Sequence, residues 1–296
     1  MSHQRVKFSG HQTFPLRYGW LEKGYEFVSN KHSLNDDSAI VVLGVGKNMV
    51  SSIKYWCEVA NIIQGEETTS FGTALLNENN GYDPYLEDLA TWWLLHWQIV
   101  ANLQYMTSAT VLFSYLSKPE FSKHDLSEAV LNLAEDGKKT PSDNIIMRDV
   151  ECYLRSYCGV KRFDKKTNAL DAFACPLQEL NLVQPVYEGE MFRLTIGRKV
   201  SLPAEILGYT ICEFYNRHKR SAMTIQSLLY QPGSPGRVFA LDENAVVEAV
   251  QELQEHSKWG SYFSFTEAAG LAQVQCSMSF EEAPGLLEHY YNGGGN

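Results

Sequence analysis

Three clusters of residues in this chain have the chemistry to work on a phosphodiester. His11-Gln12-Thr13 precedes a helical pattern, and a histidine there, titrating near neutrality, could act as general base or metal ligand. The plainer alternative makes Thr13 an N-cap and His11 a structural or DNA-positioning loop residue. Gly44-Val45-Gly46-Lys47-Asn48 stands before a second helical pattern. Its backbone N–H groups and the positive helix end could meet a phosphate, with Lys47 adding charge and Arg17, Ser51 and Lys54 flanking it. Glycines that merely permit a tight strand-to-helix turn are the equal alternative. The spacing departs from the P-loop pattern GxxxxGK[ST], so a DNA backbone is expected there and no nucleotide.

Asp83, Glu87 and Asp88 lie at i, i+4 and i+5, and His96 follows two turns after Asp88 on a similar face if one helix runs through. Such carboxylates with a histidine could hold Mg2+ or Mn2+ and activate water for phosphodiester cleavage. Acidic residues at a helix start are also ordinary dipole partners. The candidate catalytic residues are therefore His11, Asp83 and Glu87, and the candidate metal ligands Asp83, Glu87, Asp88 and His96. Candidate phosphate contacts are Arg17, Gly44, Gly46, Lys47, Asn48, Ser51, Lys54, Lys161 and Arg162. His11, Arg17, Gly46, Lys47 and Asn48 are expected to converge on one cleft around a shared anion. No PD-(D/E)xK, HNH or GIY-YIG pattern is recognisable, so the sequence does not by itself establish an endonuclease.

The elements that must position these residues read as mainly α with small β-hairpin wings. Three segments, 1–118, 119–200 and 201–296, each run helix, break, second helix and then a Gly-containing strand pair, the order of tandem winged helix-turn-helix modules. Helices are expected at 14–28, 48–63, 85–105, 122–135, 143–157, 168–180, 203–217, 224–230 and 242–256, with wings near 68–76, 182–196 and 261–276. Ser122 with Asp125 reads as a variant capping box and Asp242 as an N-cap. Trp92, Trp93 and Trp97 fit buried helix faces better than a base-stacking platform.

A net charge of −10 argues against a general coat for DNA, because phosphate contacts need clustered Lys and Arg. The first 60 residues nevertheless carry seven Lys/Arg against five Asp/Glu, while residues 61–120 carry one against seven. Any nucleic-acid face is thus local, either in the first segment or in the basic run Arg155, Lys161, Arg162, Lys165 and Lys166. The six cysteines include no CxxC pair, which makes a zinc ribbon improbable and reduced buried thiols the expectation. No apolar run approaches the ~20 residues that span a bilayer, and no secretory leader pattern opens the chain, so a cytoplasmic protein is expected.

Phe8-Ser9-Gly10-His11-Gln12-Thr13-Phe14-Pro15-Leu16-Arg17-Tyr18-Gly19-Trp20-Leu21 resembles the opening signature of the SspB-like family of bacterial DNA phosphorothioation and phage-defence systems. Further blocks of the resemblance are Val42 to Val50 running on to Cys57, Asp83 to Asp88 with Trp93 to Trp97, and Ser234 to Phe239. Where the family has a Gly-Thr pair opening the third helix, this chain reads Ala90-Thr91. The resemblance implies a DNA-binding subunit of a sulfur-modification system, with metal-dependent DNA nicking as its enzymatic form. It also implies work beside the ATPase, pyrophosphatase and cysteine desulfurase of the same system. The alternative is a non-catalytic DNA-binding adaptor or transcription regulator.

Overall fold

The segment LATWWLLHWQIVA, residues 89–101, is apolar on every face, and a helix of that kind must be enclosed by others. The computed structural model describes residues 5–6, 8–103, 105–134, 141–158, 175–268 and 270–294, and it buries all of this helix except Leu89 and Gln98. Before it come β1 (Arg5–Val6), α1 (Trp20–Ser29), α2 (Ser38–Leu43), α3 (Lys47–Val59), the hairpin β2 (Ile63–Gln64) and β3 (Glu67–Thr68), and α4 (Ser70–Leu76). The enclosed helix is α5 (Leu89–Ala101).

After it follow β4 (Tyr105–Met106), paired in parallel with β1, then α6 (Ser108–Ser114), β5 (Glu120–Ser122), α7 (Lys123–Ala134) and α8 (Asp143–Tyr157). A 3-10 turn at Pro176–Leu180 precedes β6 (Val183–Val186) and β7 (Met191–Leu194). The last group is α9 (Ala204–His218), β8 (Ala222–Thr224), α10 (Ile225–Tyr230), α11 (Pro235–Val238), α12 (Glu243–Glu255), β9 (Phe263–Ala268), β10 (Leu271–Cys276) and α13 (Pro284–His289).

The chain is thus mainly helical with small sheets. Two of these repeat one topology. In the order β5-β7-β6 the strand before a helix pair joins the far side of a later hairpin, with Phe121 opposite Phe192. In the order β8-β10-β9 the strand before three helices joins its later hairpin in the same way, with Val274 between Met223 and Phe265. The strand pairs expected near 182–196 and 261–276 are present as the hairpins β6–β7 and β9–β10, turned at Gly189 and Gly270 in left-handed conformation. Ser122 and Asp125 cap α7 reciprocally, and Asp242 Oδ1 accepts the Ala245 N–H at 2.9 Å.

The first segment departs from expectation in four places. The helix expected from Phe14 starts at Trp20, because Pro15 disfavours helical geometry at Phe14 and Gly19 takes a φ of 76°. The stretch Ile40-Val41-Val42-Leu43, expected to lead as a strand into the glycine turn, belongs to helix α2, and Gly44, at φ 65°, ends it. Ser70–Leu76 is a helix capped by Thr69, so the wing of this segment is the shorter β2–β3 hairpin. The expected helix over 85–105 begins only at Leu89, with Asp88 as its N-cap. The basic run at 161–166, and most of the helix expected at 168–180, lie outside the described residues.

One continuous set of buried side chains runs from Leu16 to Leu287, with Trp56, Trp93, Trp97, Tyr153, Tyr157 and Phe239 among its largest members. Full burial of each large apolar group stabilises the fold by about 1.5–3 kcal/mol. Trp92, Trp93 and Trp97 are core residues, and their indole N–H groups donate to Leu86 O, Ser201 Oγ and Glu213 Oε2. All six cysteines are free and buried. Among the described residues no helix is long and apolar enough to cross a membrane.

Candidate nucleic-acid interface

Helices α2 and α3 are joined by the three-residue turn Gly44-Val45-Gly46. Val50, Ile53, Trp56 and Cys57 bury one side of α3, leaving Lys47, Asn48 and Ser51 exposed on the other. Gly46, the N-cap, offers no side-chain acceptor to the first turn. Lys47 Nζ lies 4.0 Å from Asp37 Oδ1 with both groups largely in water, a pair of small strength. Ser51 Oγ donates to Lys47 O, and Lys54 Nζ donates to Asn35 Oδ1 at 2.9 Å. Asn35 and Ser33 in turn donate to Glu66 at the β2–β3 tip, and these bonds hold its carboxyl below the usual range. The hairpin is thereby tied beside α3, but its tip is acidic, so the basic part of this surface is the start of α3.

His11 does not share that surface. Its imidazole is fully buried, and Nε2 lies 2.8 Å from Asp149 Oδ1. Nδ1 accepts the Thr13 N–H at 3.1 Å, which assigns the ring proton to Nε2 and makes it the donor to Asp149. The ring packs edge-on against Tyr55 and Tyr153 and stacks with Trp56, while Ser52 Oγ donates to His11 O. The inner face of α3 therefore holds His11, and its outer face carries Lys47. The expected convergence on one cleft is not formed, because the His11 ring is drawn inward by Asp149 while Gln12 and Thr13 stay exposed. Arg17 lies over the Phe14 and Trp20 rings, 5.6 and 5.5 Å from their centroids.

The acidic cluster is organised as a helix entrance. Asp83 Oδ1 accepts the Glu87 N–H, and Oδ2 accepts the Asp88 N–H and the Thr91 hydroxyl at 2.7 Å. Asp88 Oδ1 accepts from Ala90 N and from the Tyr290 hydroxyl. Asp83 and Glu87 precede α5, so the helical-face argument does not apply to them; Glu87 is exposed. His96 points elsewhere: its Nε2 donates to Val238 O at 2.7 Å and its Nδ1 accepts from the Tyr157 hydroxyl at 2.7 Å. Burial pulls its pKa down from 6.5 to about 4, against the opposing bond to Val238. Both ring nitrogens are committed, so this donor set does not fit a hard divalent cation. Among the described residues no group of three or more His, Cys, Asp or Glu side chains is arranged to hold a metal ion.

A family model described as a protein of unknown function, DUF4007, matches residues 8–291. The chain belongs to this family. Two solved structures, "Magnesium ion-bound SspB crystal structure" and "SspB crystal structure", each align with a TM-score of 0.87 at 28% identity, over 98% of this chain and 90% of theirs. The fold is SspB-like along nearly its whole length. No curated protein gives a significant match.

Two polar residues of this DUF4007 chain were not singled out by the sequence reading. Asp149 occupies the apolar stripe of α8 with Ile146, Val150 and Tyr153, and an acid in such a stripe signals a buried partner. Its Oδ1 also accepts the Ser9 N–H, and its Oδ2 accepts from Ser108 Oγ at 2.6 Å. Glu22 on α1 has a buried Oε2 with no hydrogen-bond partner. Burial, with Asp83 nearby, raises its pKa from 4.5 to about 6.

Because the folded state prefers the protonated form, the contribution of Glu22 to stability is full below 4.5 and is lost as pH rises through 6. Glu22→Gln is therefore expected to stabilise the protein by about 2 kcal/mol at pH 8 and to have little effect near pH 4. Thermal melts of both proteins across that range check this, and an equal effect at both ends would refute it.

Proposed function

We propose that this chain is the DNA-binding subunit of a cytoplasmic DNA phosphorothioation system, gripping the backbone through the start of α3. The observation that carries the reading is the α2–turn–α3 unit, with Lys47, Asn48 and Ser51 exposed and a hairpin tied beside it. The repeated sheet topology supports describing residues 119–200 and 201–296 as winged modules, and the α2–turn–α3 unit with the β2–β3 hairpin supports the same description of 1–118. Likeness to SspB, and the sequence resemblance to a sulfur-modification family, supply the biological setting and the partner classes: ATPase, pyrophosphatase and cysteine desulfurase.

With few cations on the surface, duplex affinity should be modest and steeply salt-dependent. Lys47→Ala and Lys54→Ala should each weaken binding on many sequences alike and reduce the salt slope by about one. Fluorescence anisotropy across a salt series measures both quantities. Unchanged binding in both variants would remove α3 from the interface.

Divalent-ion-dependent nicking, with Mg2+ or Mn2+, is the finer form of this proposal. One of the similar structures is that of magnesium ion-bound SspB. Supercoiled plasmid incubated with either ion tests it. His11→Ala and Asp83→Ala should lower any such activity only in step with a lowered Tm, since both residues are held in internal bonds. The adaptor reading is favoured by one feature, the outward face of α12, which carries Glu243, Glu248, Glu252 and Glu255 where a phosphate-tracking helix would carry cations.

A further inference from the structure

Away from α3, a cavity of about 610 Å³ opens between α9 and the end of β10. Its floor holds two thiols, Cys212 and Cys276, with Sγ atoms 3.3 Å apart, and its exposed rim includes Lys219, Arg220, Ser277 and Ser279. Sequence alone placed these cysteines 64 residues apart with no motif to join them. The sheet does so: β10 packs against α9, and the Tyr215 hydroxyl donates to Val274 O at 2.7 Å, fixing helix to strand beside the thiol pair.

We propose that Cys212 and Cys276 form a reactive dithiol that a hydroperoxide entering this cavity converts to a reversible disulfide, covalently linking α9 to β10.

The arrangement divides the labour between the two sulfurs. Either sulfur can donate in the S–H···S bond between them; with Cys212 as the donor, the bond lowers the pKa of Cys276 and raises that of Cys212. Cys276, the better thiolate, attacks one peroxide oxygen. The O–O bond breaks, the other oxygen leaves as an alcohol or water after taking a proton, and Cys276 becomes a sulfenic acid. The Cys212 sulfur then attacks the sulfenyl sulfur, its proton leaves with the displaced hydroxide as water, and the S–S bond forms. Two thiols and one hydroperoxide thus give one disulfide, one alcohol or water, and one further water. The sulfurs need to approach by only about 1.3 Å to reach the bonded distance of about 2.05 Å. The other four cysteines are buried with their thiol pKa values raised chiefly by burial, and serve as internal controls.

This inference is independent of the DNA reading. The folded full-length chain is treated with a small excess of hydrogen peroxide, denatured, alkylated and mapped by mass spectrometry without reduction. The expected result is loss of two alkylatable thiols of six, a Cys212–Cys276 cross-linked peptide, and full recovery with dithiothreitol. In Cys212→Ser, Cys276 should stop at the sulfenic acid and take up dimedone, while Cys276→Ser should not label at Cys212. In the native protein Cys276 should react with a disulfide reagent about tenfold faster than the four control cysteines, a comparison that needs no variant. Six free thiols after peroxide, oxidation spread evenly over the cysteines, or equal native labelling would each overturn the proposal.

Discussion

Replacing Asp149 with alanine should cost the fold about 3–5 kcal/mol, the range for stripping one partner from a buried polar pair. Three donors would be orphaned at once: the Ser9 N–H, the His11 Nε2–H and the Ser108 hydroxyl all point at this carboxyl inside the core. The loss should spread beyond α8, because Asp149 fastens the first segment of the chain to the middle one across 138 residues. Asp149→Asn keeps one oxygen for Ser9 and His11 and can turn its amide toward Ser108, so a cost of about 1–2 kcal/mol is expected. Urea unfolding of the three proteins gives the comparison. An alanine variant as stable as the native chain would mean that water reaches these donors and that the network is not sealed.

Acid should destabilise the protein through His96. An unfolded chain takes up a proton at this side chain below about 6.5, whereas the native imidazole, enclosed with both nitrogens engaged, resists protonation until about pH 4. Its contribution is therefore complete above 6.5 and is lost as pH falls through that window. The gap corresponds to about 3 kcal/mol at 1.36 kcal/mol for each factor of ten. Glu22 acts in the opposite sense between 4.5 and 6, so the native acid response should steepen in Glu22→Gln. NMR of the histidine ring nitrogens decides the assignment directly, with His96 expected to stay neutral with its proton on Nε2 at pH 5. A His96 resonance that titrates near 6.5 in the folded protein would refute it.

Much of the scaffold was legible because its causes are local. Apolar residues at steps of three and four, the Ser122–Asp125 exchange and the Asp242 cap act within one turn of chain, so sequence spacing alone placed them. Gly189 and Gly270 mark the wing turns for the same reason. Lys47, Asn48 and Ser51 could be read as an exposed helix start from their place opposite the apolar stripe of α3. The run Ile40–Leu43 is a helix although three of its residues are β-branched, because that preference for strands is weak and the turn buries Ala39 and Leu43 before Gly44 stops it.

Sequence by itself thus determined a mainly helical chain, the positions of two hairpins, the burial of Trp92, Trp93 and Trp97, and the family resemblance. Tertiary structure decided which polar residues are available for chemistry. His11, Asp83 and His96 have the right types for catalysis, but a residue type does not reveal who will sit against it. The carboxyl that claims His11 comes from 138 residues away, and the carbonyl that claims His96 comes from 142. Periodicity records that a side chain turns inward. Only the packing of distant segments supplies the partner it meets there, because an unpaired buried donor is too costly to leave and the fold is selected to satisfy it.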